Sequence, residues 1–281
     1  MRCALLLRPV PARLGGRRTL ATNPMFDITG KTALVTGGAR DIGGACATEL
    51  AAAGADVVIG YHASADAAEA TVDAIRALGR RATAVRADVF EAAGRETLVA
   101  EAETFFGGPI DVLVNNAGGL NARAELCDDA MTEELMVENL NMNYVSVAMM
   151  CKRVIPGMQA RGFGRIVNIG SIAGNNGGSG TTTPHYGPAK SAVACLGRSL
   201  AQTYAKDGVN CNTIAPGVID NGFHEAHTSD EAMAAMATRI PQGRFGRNEE
   251  VGAVAAFLAS PAAAHIVGDV IHVNGGMLFG S

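Results

Sequence analysis

The sequence is short of several things, and each shortage closes off a class of function. It has no surplus of positive charge: its 281 residues carry a formal net charge of −4, which argues against a nucleic-acid surface. No apolar run approaches the ~20 residues that a membrane-spanning helix needs. The six cysteines are scattered, with no Cys-x-x-Cys pair and no Cys/His cluster at zinc-ligand spacing. They read as free, mostly buried thiols of a reducing compartment, so the chain is expected in the cytoplasm and without a metal. There is no internal repeat, and no linker rich in Pro, Gly or Ser splits the chain. With 48% hydrophobic and 18% charged residues, a single domain with a sizeable core is expected.

Residues 1–26 stand apart. Arg2, Arg8, Arg13, Arg17 and Arg18 fall here, and no acid precedes Asp27. The segment reads as a disordered extension, or as residues upstream of a true start at Met25. A mitochondrial transit peptide is the alternative, against which stand the missing serines and the helix breakers Pro9 and Pro11. Residues 27–281 form the expected domain.

From Ile28 onward, apolar β-branched runs alternate with alanine-rich, helix-length stretches. The strand candidates are Thr32–Thr36, Ala55–Gly60, Ala82–Ala87, Ile110–Asn115, Gly164–Ile169, Val209–Ile214 and Val267–Val273. Several are apolar nearly throughout, as strands covered on both faces should be. The helix candidates are Ile42–Ala53, Ala65–Leu78, Ala92–Phe106, Thr132–Ala160, Tyr186–Lys206 and Asn248–Ala259. This alternation predicts an α/β fold, a Rossmann-type doubly wound parallel sheet of about seven strands. The longest irregular pieces, 171–185 and 217–228, follow strands, where ligands bind in such sheets.

The turn Thr36-Gly37-Gly38-Ala39-Arg40-Asp41-Ile42-Gly43-Gly44 joins the first strand to the first helix. Glycines there allow backbone to approach a ligand, and free N–H groups at the positive helix end face a diphosphate. Farther on, Tyr186-Gly187-Pro188-Ala189-Lys190 puts a phenol and an amine one helical turn apart. A phenol with an ordinary pKa of ~10 exchanges protons poorly near neutrality, and a nearby cation lowers that value. Ser171, just past the fifth strand, supplies a hydroxyl ahead of this pair.

These residues together resemble the short-chain dehydrogenase/reductase family, whose glycine signature is Thr-Gly-x-x-x-Gly-x-Gly. Thr36, Gly37 and Gly43 match it, and Asp41 replaces the middle glycine. Asp41 is expected to act as the helix N-cap, its side chain turned from the ligand, with Arg40 compensating its charge. Asn115-Asn116-Ala117-Gly118 matches the family's Asn-Asn-Ala-Gly. The resemblance covers about residues 28–276 and implies an oxidoreductase interconverting a ketone and a secondary alcohol.

The resemblance implies a catalytic tetrad of Asn143, Ser171, Tyr186 and Lys190, with Asn141 the rival to Asn143 and His185 a wall of the pocket. It implies cofactor contacts from Gly37, Arg40, Asp41, Ile42, Tyr61, His62, Ser64, Asp88, Val89, Asn115, Ala117, Gly118, Tyr186, Lys190, Pro216, Gly217 and Ile219. Enzymes specific for NAD carry an acid at the end of the second strand, and none appears here before Asp66. Arg40 suits a 2′-phosphate, so NADP(H) is the expected cofactor, with NAD(H) possible. Among relatives the chain looks most like 3-oxoacyl-carrier-protein reductases. Met149 and Gln202 stand where those enzymes carry carrier-docking arginines, so a small carbonyl or sugar-like alcohol competes as substrate. The histidines His224 and His227 read as a solvated lid, and Ser229–Arg239 as a short helix over the substrate. Small residues in Ser191–Leu200 resemble the family's subunit contact, which implies a homotetramer. The rival from another class is a nucleotide-binding sensor without turnover.

Overall fold

Parallel strands need crossovers that carry helices to both faces of a sheet, and the chain follows that rule throughout. The computed structural model describes residues 23–178, 182–221, 235 and 237–279. Its strands are β1 (Thr32–Thr36), β2 (Asp56–Tyr61), β3 (Ala82–Arg86), β4 (Val112–Asn115), β5 (Gly164–Ile169), β6 (Val209–Pro216) and β7 (Val270–Val273). They form one seven-stranded sheet, ordered β3-β2-β1-β4-β5-β6-β7, with every pairing parallel. The helices are α1 (Asp41–Ala52), α2 (Ala65–Ala77), α3 (Ala92–Phe106), α4 (Glu133–Leu140), α5 (Ser146–Arg161), α6 (Ala173–Asn176), α7 (Tyr186–Tyr204) and α8 (Asn248–Ala259). Among the described residues no helix is long and apolar enough to cross a membrane.

Strand periodicity divides the core in two. Ala33 and Val35 of β1, with Val57 and Ile59 of β2, pack against Cys46 and Leu50 of α1, Val72 of α2 and Val251 of α8. Leu34 and Val58, one residue out of phase, face Leu98 of α3, Met150 and Val154 of α5 and Val193 of α7. β5 and β6 are buried at every position, including the polar Arg165, Asn168, Asn210, Asn212 and Thr213. Outside the sheet, Phe26 sets its ring 6.2 Å from that of Phe257 in α8. Residues 1–22 and most of the expected Ser229–Arg239 helix, with His224 and His227, lie outside the described residues.

The expected continuous helix Thr132–Ala160 is a correction. A π-helical turn, Asn141–Val145, separates α4 from α5. Side chains close the carbonyls that the wider turn leaves open. Asn143 Nδ2 donates to the Asn139 carbonyl at 3.0 Å, and the Ser146 hydroxyl donates to that of Met142 at 2.7 Å. The pattern read from sequence did not mark this turn, which is defined by how the backbone carbonyls are closed and by no residue type of its own.

α8 lies against α1 at a glycine. A Cβ on Gly252 would sit 2.7 Å from the Ala45 carbonyl oxygen. Backbone cannot yield there without moving the helix. Gly252→Val is therefore expected to destabilise the protein by about 2 kcal/mol or more in urea unfolding.

Candidate active site

The sheet order reverses beside β1, whose neighbours β2 and β4 lead the chain in opposite directions, so a crevice opens at the carboxyl ends of these strands. The first wall is the turn Gly37–Arg40. A Cβ on Gly43 would run into the Gly37 carbonyl, so only glycine lets α1 start this close to the turn. The second wall is Asn116–Gly118 after β4, and the two are stitched together. Thr36 Oγ1 accepts from the N–H groups of Asn116 at 3.0 Å and Ala117 at 3.1 Å. Asn116 Nδ2 donates to the carbonyls of Thr36 at 3.1 Å and Gly37 at 3.0 Å. The result is a glycine-lined cradle at a helix N-terminus, which fits the diphosphate of a dinucleotide.

Asp41 corrects the sequence expectation. Arg40 holds the N-cap position of α1, without a side-chain cap bond, and Asp41 is the first helical residue. Asp41 has φ +53°, the left-handed region that glycine adopts freely. That backbone explains the glycine of the family signature, and aspartate is among the side chains that tolerate it. Its carboxylate lies 3.6 Å from the Arg40 guanidinium, so the charge compensation is present. Ile42, next along α1, packs partly buried against the core.

The carboxyl ends of β2 and β3 border one side of the crevice. Tyr61 closes β2 opposite Arg86, and no carboxylate follows in His62-Ala63-Ser64. His62 Nε2 stands 4.0 Å from Asp88 Oδ2, and Asp88 Oδ1 accepts from the Phe90 N–H at 2.9 Å. Val89 is buried, and its carbonyl accepts from Arg95 at 2.7 Å. Ser64 is the N-cap of α2 with no side-chain cap bond. On the far side the Pro216 carbonyl accepts from the Ile172 N–H at 3.0 Å, and Gly217 N–H donates to Val273 at 2.9 Å. Ile219 is 2% exposed, its side chain in the core.

The tetrad residues converge beside this crevice. α7 begins at Tyr186, so Pro188 falls in the first turn, where its missing N–H costs nothing. The Ser171 side chain acts on the Tyr186 phenol, and Ser171 Oγ accepts from the Ala173 N–H at 3.1 Å. Lys190 is 6% exposed; its Nζ donates to the Ile169 carbonyl at 3.0 Å and stands 5.8 Å from the Tyr186 ring centre. Burial brings the Lys190 ammonium down to about 8. Burial also raises the Tyr186 phenol above its ordinary value, and the Ser171 bond lowers it in part. In the protein alone the expected lowering is therefore outweighed by desolvation. Asn143 is fully buried in the π-helical turn, whereas Asn141 donates to Phe90 at 3.4 Å, away from the tetrad. His185 is 5% exposed, and burial favours its neutral form.

Sequence reasoning named Asn115 but missed its partner Asn168, and missed Asn139 and Asn121. Asn115, buried at the end of β4, donates to Asn168 Oδ1 of β5 at 2.9 Å, locking together the strands that carry Gly118 and Ser171. Asn139 and Asn121 join the network around Asn143. The available signal was an asparagine inside an otherwise apolar run, as at Val167-Asn168-Ile169. Of the described cysteines, Cys46, Cys151 and Cys211 are buried and Cys127 and Cys195 are exposed. No three-residue metal-binding cluster occurs among the described residues.

Comparison with known proteins agrees with this geometry. Residues 37–278 match the family model described as enoyl-(acyl carrier protein) reductase. The 3-oxoacyl-[acyl-carrier-protein] reductase of Vibrio cholerae is 38% identical over 252 residues, covering 90% of this chain and 99% of its own. A provisionally assigned gluconate dehydrogenase from Agrobacterium tumefaciens superposes with a TM-score of 0.85 at 32% identity, covering 92% of this chain and 100% of its own. A provisionally assigned 2-deoxy-D-gluconate 3-dehydrogenase of the same organism, solved with NADP bound, gives 0.80 at 33% identity, over 91% and 99%. Fold, site and relatives agree: the chain belongs to the short-chain dehydrogenase/reductase family and is an NAD(P)-dependent oxidoreductase interconverting ketones and secondary alcohols.

Proposed function

We propose that the enzyme is an NADP(H)-preferring carbonyl reductase for small ketones, acting through Asn143, Ser171, Tyr186 and Lys190. The observation that carries this reading is the buried Lys190 amine, one helical turn along from Tyr186 with its Nζ 5.8 Å from the phenol ring centre, while Ser171 acts on the same phenol. A bound reduced nicotinamide supplies the hydride. Ser171 donates a hydrogen bond to the substrate oxygen and aims it at Tyr186. Tyr186 gives its proton to that oxygen as negative charge develops. Lys190 holds the cofactor ribose, and its charge favours the phenolate left behind. Asn143 holds, through its backbone carbonyl, the water by which Lys190 exchanges protons with solvent. In alcohol oxidation each proton moves in the opposite direction.

NADP(H) is favoured over NAD(H) by the charges at the end of β2. No carboxylate is placed there to bind ribose hydroxyls, and Arg40, with 64% of its side chain exposed, borders the same end. A guanidinium matches a phosphate dianion in charge and geometry. The NADP-bound relative supports the same choice. Free small carbonyls are favoured over carrier-bound acyl chains because Met149 and Gln202, on α5 and α7, offer no positive charge to an acidic carrier. The subunits are proposed to assemble as tetramers through α7, whose Cys195 and Arg198 are exposed in the protomer.

Three outcomes follow. Tyr186→Phe is expected to lower kcat for ketone reduction by about 10³-fold at unchanged NADPH affinity. Measured turnover near wild type would remove the proton-transfer role. Ser171→Ala removes the bond that favours phenolate, so the Tyr186 pKa rises further. In alcohol oxidation, where phenolate is the base, the rise of kcat/KM with pH should move to higher pH. A profile that stays in place excludes Ser171 as the partner. Arg40→Ala should weaken NADPH at least about tenfold and NADH little, as read by cofactor fluorescence. An unchanged NADPH/NADH ratio would exclude Arg40 from the 2′-phosphate site.

A further inference from the structure

The end of α4 reverses the usual arrangement of side chains. Met136, Val137 and Leu140 are exposed, whereas Asn139 between them is fully buried. An apolar side chain would enter such a position with far less desolvation cost. Every polar atom of the Asn139 carboxamide is engaged. Nδ2 donates to Asn121 Oδ1 at 2.8 Å and to the Gly119 carbonyl at 3.3 Å. Oδ1 accepts from Asn143 Nδ2 at 3.2 Å. Rotating the amide by half a turn would set two NH2 groups face to face, so its orientation is fixed.

The partners lead toward the chemistry. Asn143 grips the Gly119 peptide from both ends, donating to its carbonyl at 2.8 Å and accepting from its N–H at 3.0 Å. Asn121 is held in turn, donating to the Leu135 carbonyl at 3.1 Å and to Glu138 at 3.2 Å. Next to Gly119, a Cβ on Gly118 would lie 2.8 Å from Asn143 Oδ1 and 3.4 Å from Lys190 Nζ. A displacement of residues 118–121 by one methyl group's width therefore reaches the buried amine. A satisfied network of carboxamides contributes orientation more than apolar burial does.

We propose that Asn139 is a positioning residue for hydride-transfer chemistry. Through Asn143 and Gly119 it sets the distance between the loop after β4 and Lys190, and so keeps open the proton route from Lys190 to solvent. This rests on the reading of Asn143 and Lys190 as that route.

The test uses the full-length enzyme with NADPH and its best ketone. Asn139→Leu should lower kcat about tenfold or more, because proton transfer of this kind is worth orders of magnitude. NADPH affinity should stay within about threefold, and the solvent deuterium isotope effect on kcat should rise as proton transfer limits turnover. Unchanged kcat overturns the proposal. So does a loss of kcat and NADPH affinity together with no change in isotope effect, which marks a structural role. Where Asn139→Leu does not fold, Asn121→Leu and Asn121→Asp decide. The aspartate keeps an acceptor for Asn139 and should stay closer to wild-type kcat than the leucine, whose isotope effect rises; equal values overturn the proposal. Tyr186→Phe serves as control: if it is inactive, failure of the asparagine variants sinks this inference alone, and if it is active, the underlying reading fails first.

Discussion

A cation with almost no water around it organises this site. Lys190 is pulled down to about 8 by burial, and its Nζ donates to the Ile169 carbonyl at the end of β5. Holding an ammonium there is costly unless neighbouring dipoles are fixed in place. The fold fixes them. Six parallel pairings set the ends of β4, β5 and β6 side by side, and the first turn of α7 starts Tyr186 and Lys190 from a single backbone frame. Asn115 and Asn168 then tie the end of β4 to β5.

The same economy of space governs the cofactor crevice. Glycine at position 43 lets α1 begin against the turn, and Asn116 and Thr36 close the opposite wall with hydrogen bonds to backbone. Asp41 is the local exception. It occupies a left-handed backbone that glycine would adopt without strain, and it sets a carboxylate beside Arg40. An aspartate there offsets part of the positive field at the helix start.

Much of this was legible in the sequence because the signals are local. β1 and β5 are apolar runs bounded by turn residues, and their observed limits match those read from the pattern. The order Asn143, Ser171, Tyr186, Lys190 was expected from the resemblance to the family, which local pattern alone does not supply. What escaped depends on contacts distant in sequence. At the π-helical turn Asn141–Val145, Asn143 and Ser146 close carbonyls by side chain, and no periodicity reports that. Asn139 carries no signal in the sequence and gains its place only when the chain folds and brings it to Asn121 and Gly119. Asp41 was read as a cap because aspartate commonly is one, whereas its sign of φ is a property of the turn as a whole.

The acid–base character of Tyr186 is the most direct measure of the account. Its phenol can be followed by ultraviolet difference titration, subtracting the Tyr186→Phe protein so that the other three of the four tyrosines cancel. The account predicts a phenol above its ordinary value in the protein alone, falling toward neutrality when oxidised cofactor is added. A phenol that titrates at its ordinary value and does not move on cofactor binding would contradict it.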